Sequence, residues 1–274
     1  MIKIPDLLKR LPGATMFVLA LCLSSFSFGA SPVLDRVVEQ GVLKVGMSGA
    51  QQPFNFVYGK KKSVIGYDVD LAGALAKLMN VKLEVIRMPF DELLGAVENG
   101  SADMVISGMT ITATRTQKVS FVGPYMLSGK SMLASAKVMK QLKTPAGFNT
   151  SSTRLVALNG STSESLIKKE LPKAALTMVA NYEEGVKMLL AGKVDAMVAD
   201  MPILALTRQQ HRDANLQLVT PPLSIEPLGV VIAAGDEQFE NLLRNYMAVF
   251  EKTGLFLNLH KKWFEIGNSN IYEP

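Results

Sequence analysis

The chain has 274 residues, of which 48% are hydrophobic and 19% are charged, and its formal net charge is +5. This length is sufficient for one large or two modest domains with a buried core. The composition excludes a disordered or collagen-like chain. The small and dispersed positive charge gives no support to nucleic-acid binding.

The first thirty residues have the three parts of a secretory signal. Three basic residues precede a short apolar core at 14–23, and small residues follow up to Ala30. Because this core is too short to span a bilayer comfortably, we expect cleavage near Gly29 or Ala30. An uncleaved membrane anchor is the alternative.

Cleavage would leave a mature chain with a net charge of +3 and no cysteine, since Cys22 is the one cysteine of the sequence. Such a chain must depend on its core rather than on disulfides. No later run of residues is apolar enough to span a membrane. We therefore expect a soluble, exported protein.

The remaining residues alternate between strand-like and helix-like patterns. In chain order they predict a helix over 34–40, a strand over 42–47, a hairpin over 54–58 and 63–65, a helix over 70–79, a strand over 81–86, a helix over 91–98, a strand over 103–106, a strand over 154–158 and a helix over 163–170. This alternation predicts an α/β fold with parallel sheets covered by helices.

A helix–turn–strand unit occurs twice without a gap, at residues 90–109 and 182–201. Each copy has an aromatic residue, an acidic helix start, a glycine and an apolar strand led by an aspartate, Asp103 or Asp195. The offset of 92 residues is too long for a solenoid repeat. The copies therefore predict two similar α/β lobes, in which ligands bind beyond the carboxyl ends of the strands.

The residues that follow the first of these strands have the composition of an anion-binding loop. Ser107 and Thr110 supply hydroxyl groups, and Gly108 allows a ligand to approach the backbone. The guanidinium of Arg115 matches a carboxylate with two parallel hydrogen bonds. Thr112 is placed to cap a short helix that carries Arg115. A surface arginine beside a capping threonine is the alternative.

A second candidate anion site lies at 159–164, where the chain leaves a strand and begins a helix. Free amides at a helix N-terminus favour an anion. Ser161 and Glu164 also have the spacing of a capping box, which would use only some of those amides. Both interpretations of this segment remain open.

Asp200 ends the strand of the second copy, where a buried carboxylate requires a partner. A ligand ammonium would serve, and so would a nearby Lys or Arg. Arg115 for a carboxylate and Asp200 for an ammonium together describe the head group of an α-amino acid. Other chemistry has little support, because His211 and His260 lack metal-ligand spacing and no phosphate-binding glycine motif is present. No metal, cofactor or catalytic residue is predicted.

These features together resemble the family 3 periplasmic solute-binding proteins, which serve ABC transporters for amino acids. The resemblance covers residues 33–264. It rests on the stretches GYDVDLA (66–72), FDELL (90–94), SGMTITATR (107–115), FVGPY (121–125), GSTSE (160–164) and GKVDA (192–196).

The resemblance implies the periplasmic binding protein-like, type II fold, in which a hinge of two crossover strands joins two similar α/β lobes with mixed, mostly parallel sheets. Lobe 1 would comprise residues 31–126 plus 228–274, and lobe 2 residues 127–227. We expect a monomer that works in the periplasm.

The same resemblance implies a role for each site residue. Arg115 would hold the ligand carboxylate, with help from the backbone near Ser107 and Thr110. Thr162 and Ser163 would close on the ligand from lobe 2.

Asp200 would hold the α-amino group, and Phe90 would flank the ligand side chain. Members of the family for basic or aromatic ligands often carry an aromatic residue just before Pro53, where this chain has Gln51 and Gln52. We therefore expect a glutamine, such as Gln51, to hydrogen-bond a polar side chain. The predicted ligand is a polar amino acid.

Three functions follow from these observations. The first is amino-acid capture by hinge closure, in the service of an ABC transporter permease at the inner membrane. The second is an exported cyclohexadienyl (prephenate/arogenate) dehydratase-like enzyme on the same fold, which would use Glu164. The third is a sensory module that reports a ligand to a membrane receptor.

Overall fold

The computed structural model describes residues 31–142 and 144–265. The predicted secretory leader and its cleavage near Gly29 or Ala30 lie outside the described residues, as do residues 266–274 of the predicted lobe 1. Within the described ranges, no helix is both long and apolar enough to cross a membrane.

The strands are labelled in chain order: β1 (Val42–Met47), β2 (Ala50–Gln51), β3 (Asn55–Tyr58), β4 (Ser63–Ile65), β5 (Lys82–Arg87), β6 (Met104–Val105), β7 (Val119–Ser128), β8 (Lys130–Ser135), β9 (Arg154–Leu158), β10 (Ala175–Val179), β11 (Ala196–Asp200), β12 (Leu216–Leu218) and β13 (Glu226–Ala233). The helices are α1 (Pro32–Gln40), α2 (Tyr67–Leu78), α3 (Leu93–Glu98), α4 (Ala136–Leu142), α5 (Thr162–Glu170), α6 (Tyr182–Leu190), α7 (Met201–Gln210), α8 (Glu237–Lys252) and α9 (Leu255–Phe264). The elements predicted from the sequence are confirmed, with their ends displaced by three residues or fewer.

Two five-stranded sheets have the orders β5-β1-β6-β13-β7 and β10-β9-β11-β8-β12. In each sheet the first three strands run parallel, and the last two pair antiparallel with their neighbours. The prediction of an α/β fold with mixed sheets is confirmed. Half of the ladders in these two sheets are nevertheless antiparallel, because β13, β7, β8 and β12 run against their neighbours.

The first sheet, with helices α1, α2, α3, α8 and α9, is called lobe 1 below, and the second, with α4 to α7, is called lobe 2. Strands β2, β3 and β4 form a small antiparallel sheet that includes the predicted hairpin. Each lobe has a core of fully buried side chains between its sheet and its helices, such as Leu43 and Met104 in lobe 1 and Val156 and Val198 in lobe 2.

Strands β7 and β13 lie side by side and connect the lobes. Glu226, the first residue of β13, pairs with Ser128, the last residue of β7. After Gly129, strand β8 begins in lobe 2. The lobe limits expected at residues 126/127 and 227/228 fall in these strands and stay a prediction.

The two copies of the sequence repeat make the same clamp between neighbouring strands. The Asp103 carboxylate accepts the backbone N–H of Lys44 at 2.7 Å, and the Asp103 N–H donates to the Lys44 carbonyl at 2.9 Å. Asp195 makes the same pair of bonds with Arg154, both at 2.7 Å. Each aspartate also pairs with an arginine side chain, Arg36 for Asp103 and Arg154 for Asp195. The clamp fixes the parallel register of β1 with β6 and of β9 with β11.

Replacing either aspartate by alanine is expected to lower the free energy of unfolding by about 1–3 kcal/mol, because a backbone N–H loses its acceptor. Asp103→Ala should cost more than Asp195→Ala, since the Asp103 side chain is 2% exposed and that of Asp195 is 21% exposed. Urea unfolding of both variants measures this, with the exposed Glu170→Ala as the control. Variants that unfold like the control would contradict the clamp.

Candidate functional site

Backbone hydrogen bonds join the loop after β6 to β13, the second of the two strands that connect the lobes. The Ile111 N–H donates to the Pro227 carbonyl at 2.8 Å, and the Gly229 N–H donates to the Met109 carbonyl at 3.0 Å. These two bonds attach the predicted anion-binding loop to β13, so the loop lies where the lobes meet.

A buried polar network fixes Ser107, at the start of this loop. The Ser107 Oγ accepts hydrogen bonds from the Ser48 N–H at 3.1 Å, from Gln51 Nε2 at 3.0 Å and from Asn55 Nδ2 at 3.2 Å. Gly108 has a φ of 55°, and an added Cβ would lie 3.1 Å from the Gln51 Oε1. The Ser107 and Gln51 side chains thus hold the loop in place. The expected hydrogen bond from Gln51 to a ligand side chain stays a prediction.

Asp68 anchors the same network. Its fully buried carboxylate accepts from Asn55 Nδ2 at 2.8 Å and from the Tyr125 hydroxyl at 3.1 Å. Burial raises the pKa of Asp68 to about 6, although Asn55, Tyr125 and the Gly108 N–H favour the ionised form. Asp68 therefore ties the loop at Gly108 to Tyr125 on the crossover strand β7.

Arg115 reaches from lobe 1 to lobe 2. Its Nη1 donates to the Thr110 carbonyl at 2.8 Å, and its Nη2 donates to the Gly160 carbonyl at 3.0 Å. Its guanidinium carbon lies 5.9 Å from the centroid of the Phe90 ring. Thr112 does cap the backbone N–H of Arg115, at 3.2 Å, but the predicted helix is only a short 3₁₀ turn at Arg115–Gln117. A guanidinium has five N–H groups, so donors remain for a ligand carboxylate.

Three charged side chains form a buried group opposite Arg115, called the acid–lysine cluster: Lys130, Asp200 and Glu226. Lys130 Nζ lies 2.6 Å from Asp200 Oδ2 and 3.4 Å from Glu226 Oε2. The Ser128 hydroxyl donates to Asp200 Oδ1 at 2.9 Å. The sequence left open whether the partner of Asp200 is a ligand ammonium or a nearby Lys or Arg. In the structure a lysine, Lys130, lies beside it.

Glu226 joins a hydroxyl of each lobe. Its Oε2 accepts from Thr110 Oγ1 at 2.7 Å and from Thr162 Oγ1 at 2.6 Å. Burial alone would raise the pKa of Glu226, but Lys130 and the Thr162, Thr110 and Ser224 hydroxyls together lower it below its ordinary value. Glu226 is therefore held as a carboxylate where the lobes meet.

The start of α5 supplies the lobe 2 side of the site. Ser161 Oγ accepts the Glu164 N–H at 3.3 Å, as the capping box requires. The Glu164 carboxylate accepts from the N–H of Gly160 at 2.8 Å, one residue before the partner that the capping box predicts, and pairs with Lys168 at 2.5 Å. The fully buried Ser163 Oγ has no hydrogen-bond partner among the described residues.

Sequence analysis missed three residues that the structure places here: Lys130, Tyr182 and Glu226. Tyr182 is buried, and burial, followed by the charges of Asp200 and Glu226, raises its pKa well above the ordinary value. The offset of 92 residues aligns Tyr182 with Phe90, so the repeat itself contained this signal. The signal for Glu226 was a charged residue at the start of β13, a strand that is otherwise apolar.

Side-chain hydrogen bonds also join the two lobes directly. Asn159 Nδ2 donates to Asp91 Oδ2 at 2.7 Å, and Gln210 Nε2 donates to Gln52 Oε1 at 3.2 Å. The structure brings the predicted site residues to this one region: Gln51, Phe90, Ser107, Gly108, Thr110, Arg115, Thr162, Ser163 and Asp200. The arrangement offers a cationic, amide-rich side and a carboxylate side.

Comparison with known proteins agrees with this geometry. The sequence profile of the bacterial extracellular solute-binding proteins, family 3, matches residues 43–266. The chain is 27% identical over 250 residues to ABC transporter arginine-binding protein 1 of Escherichia coli (strain K12), which covers 90% of this chain and 98% of that protein. It is also 24% identical over 247 residues to the cyclohexadienyl dehydratase of Pseudomonas aeruginosa, covering 90% and 91%.

Two solved structures have the same fold. One is an ancestral amino-acid-binding protein described as a precursor of cyclohexadienyl dehydratase, at 34% identity and a TM-score of 0.80, covering 85% of this chain and 99% of that one. The other is a putative ABC transporter binding component from Wolinella succinogenes complexed with lysine, at 32% identity, a TM-score of 0.80 and the same coverage. The predicted type II fold of two hinged α/β lobes is confirmed.

The buried Asp68 makes stability depend on pH. Because its pKa is raised from 3.8 to about 6, the folded protein binds this proton more tightly than the unfolded chain does. The contribution of Asp68 to the free energy of unfolding should therefore fall as pH rises from about 4 to 6, by about 3 kcal/mol in total. Urea unfolding at pH 4 and pH 7 should show that Asp68→Asn removes this part of the pH dependence. An identical pH dependence in both proteins would contradict the account.

Proposed function

The chain belongs to the bacterial extracellular solute-binding proteins, family 3, and from this premise we propose that it captures an amino acid between its lobes for an ABC importer. One observation carries the proposal: Arg115 and the start of α5 lie on one side of the site, and buried carboxylates lie on the other. This polarity matches a carboxylate and an ammonium on the same carbon atom. The buried hydroxyl of Ser163, which has no hydrogen-bond partner in the described part of the chain, supplies a further donor to a bound molecule.

The charge balance of the site favours a zwitterion. Arg115 and Lys130 contribute two positive charges, and Asp200 and Glu226 contribute two negative charges. An α-amino acid head group adds one charge of each sign, so the closed site needs no uncompensated buried charge. Because this head group is common to all α-amino acids, the proposal of a polar side chain rests separately on Gln51 and Gln52, which precede Pro53 in place of an aromatic residue.

We propose hinge closure about β7 and β13 as the binding motion. In this account lobe 1 comprises residues 31–126 plus 228–274, and lobe 2 comprises residues 127–227. The leader at 1–30 is removed near Gly29 or Ala30, and the mature chain works in the periplasm as a monomer that delivers its ligand to a membrane permease. The names of relatives that belong to ABC transporters support this role.

We also propose that this chain is a binding protein and not an enzyme. The Glu164 carboxylate, which the dehydratase alternative would use, bonds the N–H of Gly160 and pairs with Lys168. These bonds stabilise the first turn of α5, so the Glu164 carboxylate has a structural role there. The relative named cyclohexadienyl dehydratase makes this proposal worth a direct test.

Arg115→Ala is expected to weaken amino-acid binding roughly thirtyfold or more, because removing one partner of a hydrogen-bonded charge pair that ligand binding buries costs about 2–5 kcal/mol. Arg115→Lys should recover only part of the affinity, since lysine lacks the planar fork. A thermal-shift panel of the common L-amino acids, followed by calorimetry on those that stabilise the protein, measures this. The exposed Arg208→Ala is the matched control. If no amino acid stabilises the wild-type protein, after unfolding and refolding to strip bound solute, the proposed function is wrong.

Incubation with prephenate tests the enzymatic alternative. We expect no conversion to an aromatic keto acid above the rate without protein, and the same result for Glu164→Gln. Turnover by the wild-type protein that Glu164→Gln abolishes would establish the enzyme instead.

A further inference from the structure

We propose that the bound amino acid carries an uncharged side chain that donates a hydrogen bond to the Oε1 atom of Gln51, as the side chains of glutamine, asparagine and serine can. The inference rests on the proposed function and narrows the class of amino acid that the same site selects. It makes Gln51 a residue that determines specificity, and it gives Gln51 the part of the acceptor.

The hydrogen bonds of Gln51 fix which end of its carboxamide is available. Its Nε2 donates to the Ser107 carbonyl at 3.2 Å, to the Ser107 Oγ at 3.0 Å and to the Ser48 Oγ at 3.0 Å. A backbone carbonyl can only accept, so turning the carboxamide round would place two oxygens together. Among the described residues, none donates a hydrogen bond to Gln51 Oε1. The atom that is left for a ligand is therefore an acceptor.

This acceptor borders the loop that was expected to admit the ligand. A Cβ added to Gly108 would lie 3.1 Å from Gln51 Oε1, so the absence of a side chain on Gly108 leaves room beside that oxygen. Gly108 belongs to the same loop as Thr110, whose carbonyl accepts from Arg115 at 2.8 Å. An amino acid whose carboxylate is held by Arg115 lies against this loop, and its side chain can reach Oε1.

The charge balance of the site excludes a charged ligand side chain. Arg115 and Lys130 already balance Asp200 and Glu226, and an α-amino acid head group adds one charge of each sign. A charge on the ligand side chain would have no such counterpart, and a buried charge without a partner is costly. The side chain that fits is therefore neutral.

The cavity beside Gln51 also disfavours long cationic side chains. This cavity of about 630 Å³ lies between the lobes and is lined by residues 48–50, by Tyr182 and, where it opens to solvent, by the exposed Lys62 and Arg87. A lysine or arginine ligand that extended along it would bring its charge towards these two cations, and like charges repel.

An acidic side chain gains little from the same two cations. Lys62 and Arg87 are exposed, and ion pairs of exposed groups contribute little to binding energy. A carboxylate of the length of glutamate would also place an acceptor against Gln51 Oε1, where no proton is available to join the two oxygens. Glu183 also lines the cavity, but it is paired with Lys187 at 2.5 Å.

The test compares amino acids with analogues that lack only the side-chain donor. The pairs are L-glutamine with L-2-amino-5-oxohexanoic acid, L-asparagine with L-2-amino-4-oxopentanoic acid and L-serine with L-alanine. In the first two pairs a methyl group replaces the NH₂ group. Calorimetry on the wild-type protein should show that the tightest ligand comes from the donor members. It should bind roughly tenfold or more tightly than its analogue, because the analogue leaves Oε1 without a partner.

Two variants separate the acceptor from the support of the loop. Gln51→Met keeps the length of the side chain and removes Oε1, so the preference for the donor member should fall to about onefold. Ser48→Ala removes one partner of Gln51 Nε2 and keeps Oε1. It should weaken both members of a pair alike and leave their ratio unchanged. Thermal unfolding checks that each variant folds.

The comparisons within the wild-type protein need no variant, so they decide the question even if Gln51→Met does not fold. A charged or apolar amino acid as the tightest ligand overturns this inference and leaves the proposed function intact. Equal binding of a donor and its analogue, or a preference that survives in Gln51→Met, has the same consequence. Failure of the wild-type protein to bind any amino acid overturns both.

Discussion

The buried ion pair between Lys130 and Asp200 is the interaction on which the rest of the site depends. The antiparallel register of β8 and β11 places the two residues directly opposite each other, so the sheet itself makes the pair. Two charges at this depth are stable only when they are well matched. The third member of the acid–lysine cluster, Glu226, lies 3.4 Å from Lys130 and accepts hydrogen bonds from a threonine of each lobe.

The two lobes share the repeated helix–turn–strand unit but carry different residues after its strand. In both, an aspartate clamps the same pair of parallel strands, and an aromatic residue, Phe90 or Tyr182, begins the repeated unit. The residues after the strands differ at equivalent positions, since Gly108 in lobe 1 corresponds to Asp200 in lobe 2. In the binding mode that we propose, the glycine side receives the ligand carboxylate and the acidic side balances its ammonium, so the duplicated unit forms a site with two unlike ends.

Local signals predicted much of this structure. Periodicity located the helices and strands, and the repeat indicated two lobes with a site between them. The chemistry of Arg115 and the helix start at Thr162 could also be inferred, because both depend on neighbouring residues in the sequence. The partner of Asp200 could not, because the pairing of β8 with β11 joins residues 70 positions apart. Glu226 was missed for the same reason, since its partners come from both lobes.

A crystal structure of the protein with a bound L-amino acid tests the central claim most directly. The account predicts the ligand carboxylate on Arg115 and the start of α5, and the ammonium on the carboxylate side of the site, which Asp200 and Glu226 form. A ligand carboxylate away from Arg115, or an ammonium that contacts neither Asp200 nor Glu226, would contradict the account.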